Sequence, residues 1–385
     1  MEVFIEIIVT MAILLCLVYT ILIAIYCSGW VNTKFVFTEI KGEKPFVSII
    51  IPARNEEINI AQLLSSICYQ TYPSNCFEVI VVDDFSTDTT NELVQDFFNR
   101  KINITLIKNK NTGKKNAISE AIKIAKGELI ITTDADCVVH EHWLSYLVSF
   151  YRQTNAKMIV APVYLFNTLS LFQKLQTLEC IALTASTAGS LYFNKAIMCN
   201  GANLAYTKEI FNEVNGFEGI NNTASGDDVL LMYKIKKKYP KGIKFLKDME
   251  AAAFTYSCFN IKQFISQRKR WASKRFSDLN TETKFVSLIV YLFNLFLLIV
   301  PCVAFFHNPI TFYPFSLFKL GLLLFSVKCV IDFLLLFLST SFFEERNLLI
   351  YFLPEQIIYV FYVVLVGFLG FGKKYEWKGR TINEK

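Results

Sequence analysis

Residues Phe46 to Ile51 read FVSIII and run straight into Pro52; residues Phe77 to Val82 read FEVIVV and run straight into Asp83. Both runs are short, continuously apolar and rich in β-branched side chains, the pattern of strands covered on both faces. Between them Ile58, Leu63, Leu64 and Ile67 recur at helical spacing, so the stretch predicts a β-α-β unit. The alternation then repeats: a strand over Thr105 to Ile107, a helix through Ala117 to Ala125, and a strand over Glu128 to Thr132, ELIIT. Right-handed crossovers of this kind predict a parallel sheet, and open sheets of that kind bind ligands beyond the carboxyl ends of their strands. The polar motifs below are expected at such ends.

On either side of this stretch the chain changes solvent. With 53% hydrophobic residues in 385 and a mean hydropathy of +0.38, it is too apolar for an ordinary soluble protein of two domains. Ile7 to Cys27 carries no charge, which at about 1.5 Å per residue crosses a hydrocarbon core of about 30 Å. A cleaved leader is the rival reading, but Glu2 and Glu6 stand where positive charge belongs and no small-x-small site follows. Phe285 to Phe306, Leu317 to Leu338 and Leu348 to Phe371 predict three further spans. Lys328 and Asp332 stand one turn apart in the third run and can pair on one face, a structural pair rather than a transport site. The expected organisation is therefore an anchor and juxtamembrane segment over 1–44, an α/β domain over 45–280, and membrane helices with a basic tail over 281–385.

The 10 cysteines show no framework and no CxxC, and read as small hydrophobes in a reducing compartment. The net charge of +6 is unevenly spread: seven lysines and no acid lie between Lys234 and Lys247, and six basic residues and no acid between Lys262 and Arg275. The first cluster reads as a solvated face; next to a membrane, such clusters also suit anionic headgroups or diphosphates. No recognition motif accompanies the charge, so nucleic acid is not expected as a partner. Leu169 to Leu191, with only Lys174 and Glu179 charged, fits either a core helix or an amphipathic helix lying on the bilayer.

Several motifs carry chemistry. Pro52, Ala53, Arg54, Asn55 and Glu56 follow the first strand, and Asp83, Asp84, Phe85, Ser86, Thr87 and Asp88 the second; taken alone, these are helix-capping turns. Asn111 to Asn116, NTGKKN, lacks the spacing of a Walker phosphate loop. Asp134-Ala135-Asp136 after ELIIT offers two hard oxygen ligands, which suit Mg2+ or Mn2+ rather than zinc. His140 and His142 flank Glu141 without zinc-site spacing and read as surface residues. Gly201-Ala202-Asn203 reads as a turn entering a strand. Asp227 and Asp228, after Ser225-Gly226, open an apolar helix whose N-terminus favours negative charge. Gln267, Arg270 and Trp271 combine a guanidinium fork that fits a diphosphate with a flat apolar face that fits a sugar ring or lipid.

In this order the segments PxxNE, VVDDxSxD, GKxxA (Gly113, Lys114, Ala117), DxD, GAN, the acidic pair and QxxRW resemble the membrane-bound inverting glycosyltransferases of family 2. That group includes cellulose, chitin and hyaluronan synthases and ceramide-glucosyltransferase-like enzymes. The resemblance covers about Pro45 to Arg275, roughly 60% of the chain, and implies a GT-A (Rossmann-like) nucleotide-sugar domain between N- and C-terminal transmembrane helices. It implies donor contacts at Pro52, Asn55, Glu56, Asp83, Asp84, Lys114, Asp134, Gln267, Arg270 and Trp271, and a divalent metal, Mg2+ or Mn2+, at Asp134 and Asp136. It implies Asp228 as the base and an acceptor region at Gly201, Asn203 and Asp227. Phe85 and the Gly226-Asp227 pair depart from the family, which often has glycine and Thr-Glu there. The implied partners are a nucleotide diphospho-sugar, UDP-sugar foremost, a lipid or polysaccharide acceptor, and membrane lipids of the cell envelope. Short loops and three C-terminal spans favour a lipid acceptor; a processive polysaccharide synthase is the alternative, and a catalytically inactive membrane scaffold a second. The expected location is the cell membrane, multi-pass, with the catalytic domain cytosolic. A cytosolic tail is expected from Lys373, Lys374, Lys378, Arg380 and Lys385, against Glu376 and Glu384.

Overall fold

A computed structural model describes residues 2–100, 102–166, 169–220, 226–272, 278–306, 311–312, 315–369, 374–377 and 380–383. Ser225 and, in the tail, Lys373, Lys378, Glu384 and Lys385 lie outside the described residues. The chain opens with α1 (Glu2–Asn32). Then come β1 (Val47–Ala53), α2 (Ile60–Cys68), β2 (Phe77–Asp83), α3 (Thr90–Gln95), β3 (Asn103–Lys108), α4 (Lys114–Ile124) and β4 (Leu129–Thr132). After these come β5 (Val138–Val139), α5 (Trp143–Thr154), β6 (Met158–Val160), β7 (Val163–Phe166), α6 (Leu171–Tyr192), β8 (Leu204–Thr207), α7 (Lys208–Glu213) and α8 (Asp227–Lys238). The chain continues with β9 (Ile243–Phe245), β10 (Ala253–Tyr256), α9 (Ile261–Ala272), α10 (Thr281–Phe306), α11 (Leu317–Thr340) and α12 (Phe352–Leu369).

The main sheet has seven strands in the order β3-β2-β1-β4-β8-β6-β9. Its first four are parallel, as the β-α-β reading predicts. The second half corrects that reading: β8 runs antiparallel to both β4 and β6. The chain reaches β8 from α6 rather than through a crossover, so it enters from the opposite end, and the sheet is mixed. A smaller sheet, β5-β10-β7, stands beside it. Pro52 is accommodated because β4 ends opposite Ile50, so no ladder bond is asked of a residue without an N–H.

Strand alternation divides the interior. Val47, Ile49, Ile51, Val79 and Val81 face α2 and α5 in one cluster. Ile50, Ile80, Val82 and Ile130 face the other way, in a cluster shared with α4, α6, α8, α1, α10 and α11. This second core runs without a break from the sheet into the helical bundle, and α6 is the bridge. The helix packs on α1 and on the sheet together. At its crossing with α1, a Cβ on Gly29 would lie 2.2 Å from the Gly189 carbonyl oxygen, so the backbones touch and only glycine fits.

Among the described residues four helices are long and apolar enough to cross a membrane: Val3–Asn32, Thr281–Phe305, Leu317–Thr340 and Arg346–Leu369. Lys328 bonds Asp332 at 2.7 Å, and Tyr19 of α1 bonds the other carboxylate oxygen at 2.8 Å. Lys328 also bonds Gln356 of α12. The last segment is not one regular helix: Arg346–Tyr351 is a 3-10 stretch, and α12 begins only at Phe352. Both of its ends meet the α/β body. Glu345, just before it, accepts from Tyr164, and Lys174 reaches the Tyr351 hydroxyl at 3.3 Å. Beyond it, a hairpin pairing Lys374–Trp377 with Arg380–Asn383 rests against α9.

Candidate active site

The loops leaving β1 and β2 are laced together. Arg54 donates to the carbonyls of Asp84 and Phe85 at 2.8 and 2.7 Å, the Asn55 N–H donates to Ser86 Oγ at 3.0 Å, and the Thr87 N–H donates to Asn55 Oδ1 at 2.9 Å. Glu56 is buried; its carboxylate accepts from Asn59 at 3.0 Å. Asp83 and Asp84 are buried too. Asp83 accepts the Ser86 N–H at 2.9 Å, whereas Asp84 accepts Asn109 Nδ2 at 2.8 Å and the Gly113 N–H at 3.0 Å. Phe85 adopts a left-handed φ of 60°, a conformation that costs a side chain about 1–2 kcal/mol and that glycine adopts freely. That is the physical sense of the glycine expected there.

Asp84 thus fixes Gly113, which starts α4, and α4 begins with Lys114. Its ammonium lies 2.5 Å from Asp134 Oδ1, just past β4, and 3.8 Å from Asp227 Oδ2, at the start of α8. Asp228 is next on α8; its Oδ2 accepts the Gly201 N–H at 3.0 Å and its Oδ1 the Val229 N–H at 2.7 Å. The Gly201 turn packs closely on the cluster: a Cβ there would come to 3.1 Å from Lys114 Nζ and 3.3 Å from Asp228 Cβ. Residues 114, 134, 201, 227 and 228 thus meet at one point beyond the strand ends.

Three carboxylates face one ammonium at this point. Burial pushes the Asp227 carboxyl up, Lys114 opposes this, and Asp228 and Asp134 add to it. Burial alone would lower the Lys114 ammonium, but Asp134, Asp227 and Asp228 outweigh it and hold it above its ordinary value. Carboxylate oxygens gathered in this way fit a divalent cation of the Mg2+ or Mn2+ kind. Among the described residues no group of three or more His, Cys, Asp or Glu side chains could hold a metal unaided. Asp134 and Asp136 are both half-buried on the turn after β4.

Other expected site residues sit elsewhere or do something different. Asn203 is wholly buried and its amide is spent: it accepts from Trp143 Nε1 at 3.0 Å and donates to the Pro162 and Ala251 carbonyls at 2.7 and 2.8 Å. It braces the turn that presents Gly201. His140 and His142 are on the surface, as expected, with His140 paired to Glu250 at 2.5 Å. On α9 the buried arginine is Arg268, which sequence reasoning did not single out. Gln267 accepts from it at 2.5 Å, and Trp271 stacks 4.2 Å from its guanidinium. Arg270 is half-buried and near Cys258, whose thiol burial pushes up against the opposing charges of Arg268 and Arg270. An arginine at helical spacing between two aromatic residues, Phe264 and Trp271, was the available signal for Arg268.

Parts of the chain are similar to known proteins. The chain is similar to the glycosyltransferase AglE of Haloferax volcanii, 36% identical over 116 residues, 30% of this chain and 38% of that protein. It is similar to the beta-monoglucosyldiacylglycerol synthase of Nostoc sp., 32% identical over 118 residues, 30% of this chain and 25% of the synthase. To the probable glycosyltransferase YdaM of Bacillus subtilis it is 27% identical over 237 residues, 60% of this chain and 55% of that one. The chain thus spans from a quarter to just over half of these relatives. Among solved structures, the mannosyltransferase PcManGT from Pyrobaculum calidifontis, in complex with GDP-Man and Mn2+, superposes with a TM-score of 0.57 at 16% identity, covering 94% of this chain and 99% of that one. This likeness shows a GT-A-like fold with its added helices. Residues 48–214, from β1 to just past α7, match the model for glycosyl transferase family 2, and the chain therefore carries a domain of that family.

Proposed function

We propose that the protein is an inverting glycosyltransferase that moves a hexose or hexosamine from a nucleotide diphospho-sugar to a membrane lipid. The observation that carries this reading is the meeting of Lys114, Asp134, Gly201, Asp227 and Asp228 at the strand ends. In this reading the nucleoside lies over the β1 and β2 exits, near Asn55, Glu56, Asp83 and Asp84. Lys114 and Arg270 bind the diphosphate. Asp228 accepts the acceptor hydroxyl proton, and that oxygen attacks the anomeric carbon opposite the departing nucleoside diphosphate, in one displacement. Asp134 and Asp136 would hold a divalent ion, which when bound neutralises the leaving diphosphate.

A lipid acceptor is favoured over a growing polymer because the bundle interior is filled. Tyr19, Phe293, Lys328 and Asp332 occupy it, and the Tyr19 and Phe293 rings pack at a tilt with centroids 4.9 Å apart. The α/β body is cytosolic in this reading. α1, α10 and α11 cross the bilayer, and the 346–369 segment turns back to the face it left, which keeps the tail cytosolic. The test is to supply labelled UDP- and GDP-sugars to native membranes. Label in an organic-extractable lipid is expected, label in a long polymer would favour the synthase alternative, and no transfer would favour the scaffold.

A further inference from the structure

α9 carries Gln267, Arg270 and Trp271, yet the side chain that fixes the helix is Arg268. Only 6% of its surface is exposed, and its Nη2 lies 2.5 Å from Glu179 Oε2 on α6. The other Glu179 oxygen accepts from the Tyr362 hydroxyl of α12 at 3.0 Å. On α9 the guanidinium is bracketed by Phe264 at 4.5 Å and Trp271 at 4.2 Å, and it donates to Gln267. Phe264 in turn packs on Tyr362, ring centroids 5.3 Å apart. Two of the three motif side chains of α9 therefore lean on one guanidinium, which is held by α6 and α12. Arg268 is the one buried residue of α9.

Resting on the transferase reading, we infer that Arg268 is a positioning residue: with Glu179 and Tyr362 it sets α9 so that Gln267, Arg270 and Trp271 face the nucleotide donor. A guanidinium does this better than an ammonium, because one planar fork serves Glu179 and Gln267 while its faces stack on two rings. The arrangement also ties the donor side of the cleft to the membrane bundle, since Tyr362 lies midway along α12.

Removing one partner of a buried pair leaves a lone buried charge and risks misfolding, so the test uses the double variant Glu179→Gln/Arg268→Met, which removes both. Full-length protein in detergent is read in two ways. Hydrogen exchange of amides 261–272 needs no ligand; calorimetry with UDP and GDP reads nucleotide affinity. The variant is expected to keep wild-type protection in β1 and β2 while α9 exchanges at least about tenfold faster and nucleotide binds at least about tenfold more weakly, the scale of loss when a contact residue is displaced by a fraction of an ångström. Tyr362→Phe should move both readouts the same way by less. Wild-type exchange in α9, or faster exchange with affinity within about twofold, would overturn the inference while leaving the transferase reading intact. Failure of the unmodified protein to bind either nucleotide would overturn that reading, and this inference with it.

Discussion

At the strand ends Lys114 faces Asp134, Asp227 and Asp228, partly open to solvent and with carboxylates in excess. In the helical bundle Lys328 is wholly buried, yet each of its partners is matched: Asp332 takes Lys328 on one oxygen and Tyr19 on the other, and Gln356 bonds both Lys328 and Glu355. Both clusters hold a lysine among acids, but only the second is sealed from solvent. An isolated buried charge is too costly to persist, so a network inside an apolar bundle has to be complete. A site that receives a charged ligand has to keep its charges within reach of solvent. The difference is one of exposure: the bundle charges are sealed among helices, and the strand-end charges lie where a ligand can reach them.

The strongest test of the open cluster is Asp228→Asn, which keeps shape but cannot accept a proton. Turnover should fall by about 10² to 10⁴ with nucleotide affinity nearly unchanged, and retention of more than about a tenth of the rate would remove Asp228 from the base role. For the closed cluster, Lys328→Met should cost about 3–5 kcal/mol by stranding Asp332, and Lys328→Met/Asp332→Leu should recover most of it. Thermal melts in detergent check this, and a double variant no better than the single would show that the network is not closed. Asp136→Ala should weaken UDP or GDP binding in Mn2+ about tenfold and abolish its dependence on the ion; calorimetry with and without Mn2+ decides, and unchanged metal dependence sinks the assignment.

The smallest effect concerns Asp227. Its folded-state carboxyl is raised, chiefly by burial, so its favourable contribution is present below the ordinary carboxyl range and is lost as pH rises through the raised value. Asp227→Asn should therefore melt about 2–4 °C higher than wild type at pH 7.5, with the gap closing towards pH 4. A gap that does not change with pH would mean the burial cost lies elsewhere.

How much of this was legible depended on how local the cause was. FVSIII, FEVIVV and ELIIT are long enough to declare themselves as buried strands, and the turns after them carry their own polar signature. β5 to β10 have two to four residues each and take their direction from where α6 delivers the chain, so the antiparallel β8 could not be foreseen. The pairing of Lys328 with Asp332 follows from one-turn spacing, but its closure needs Tyr19 and Gln356 from other helices. Arg268 was passed over because its partner Glu179 lies 89 positions away. On α9 alone Arg268 and Arg270 look equivalent, and only packing against α6 and α12 distinguishes the one that is buried. Asn203 was legible as part of a turn but not as the brace it is, since Pro162 and Ala251 lie 41 and 48 positions distant.

The bond between Tyr19 and Asp332 joins residues 313 positions apart. A ribosome adding about 5–20 residues per second needs roughly 15 to 60 seconds to travel from one to the other. In the proposed topology α1 waits in the bilayer for that time with its tyrosine hydroxyl unmatched, while its Gly29 surface is covered earlier, when Gly189 of α6 is made. α1 is thus among the last of these helices to acquire its full set of partners. In that topology a chain stalled before α11 would leave the Tyr19 hydroxyl without Asp332.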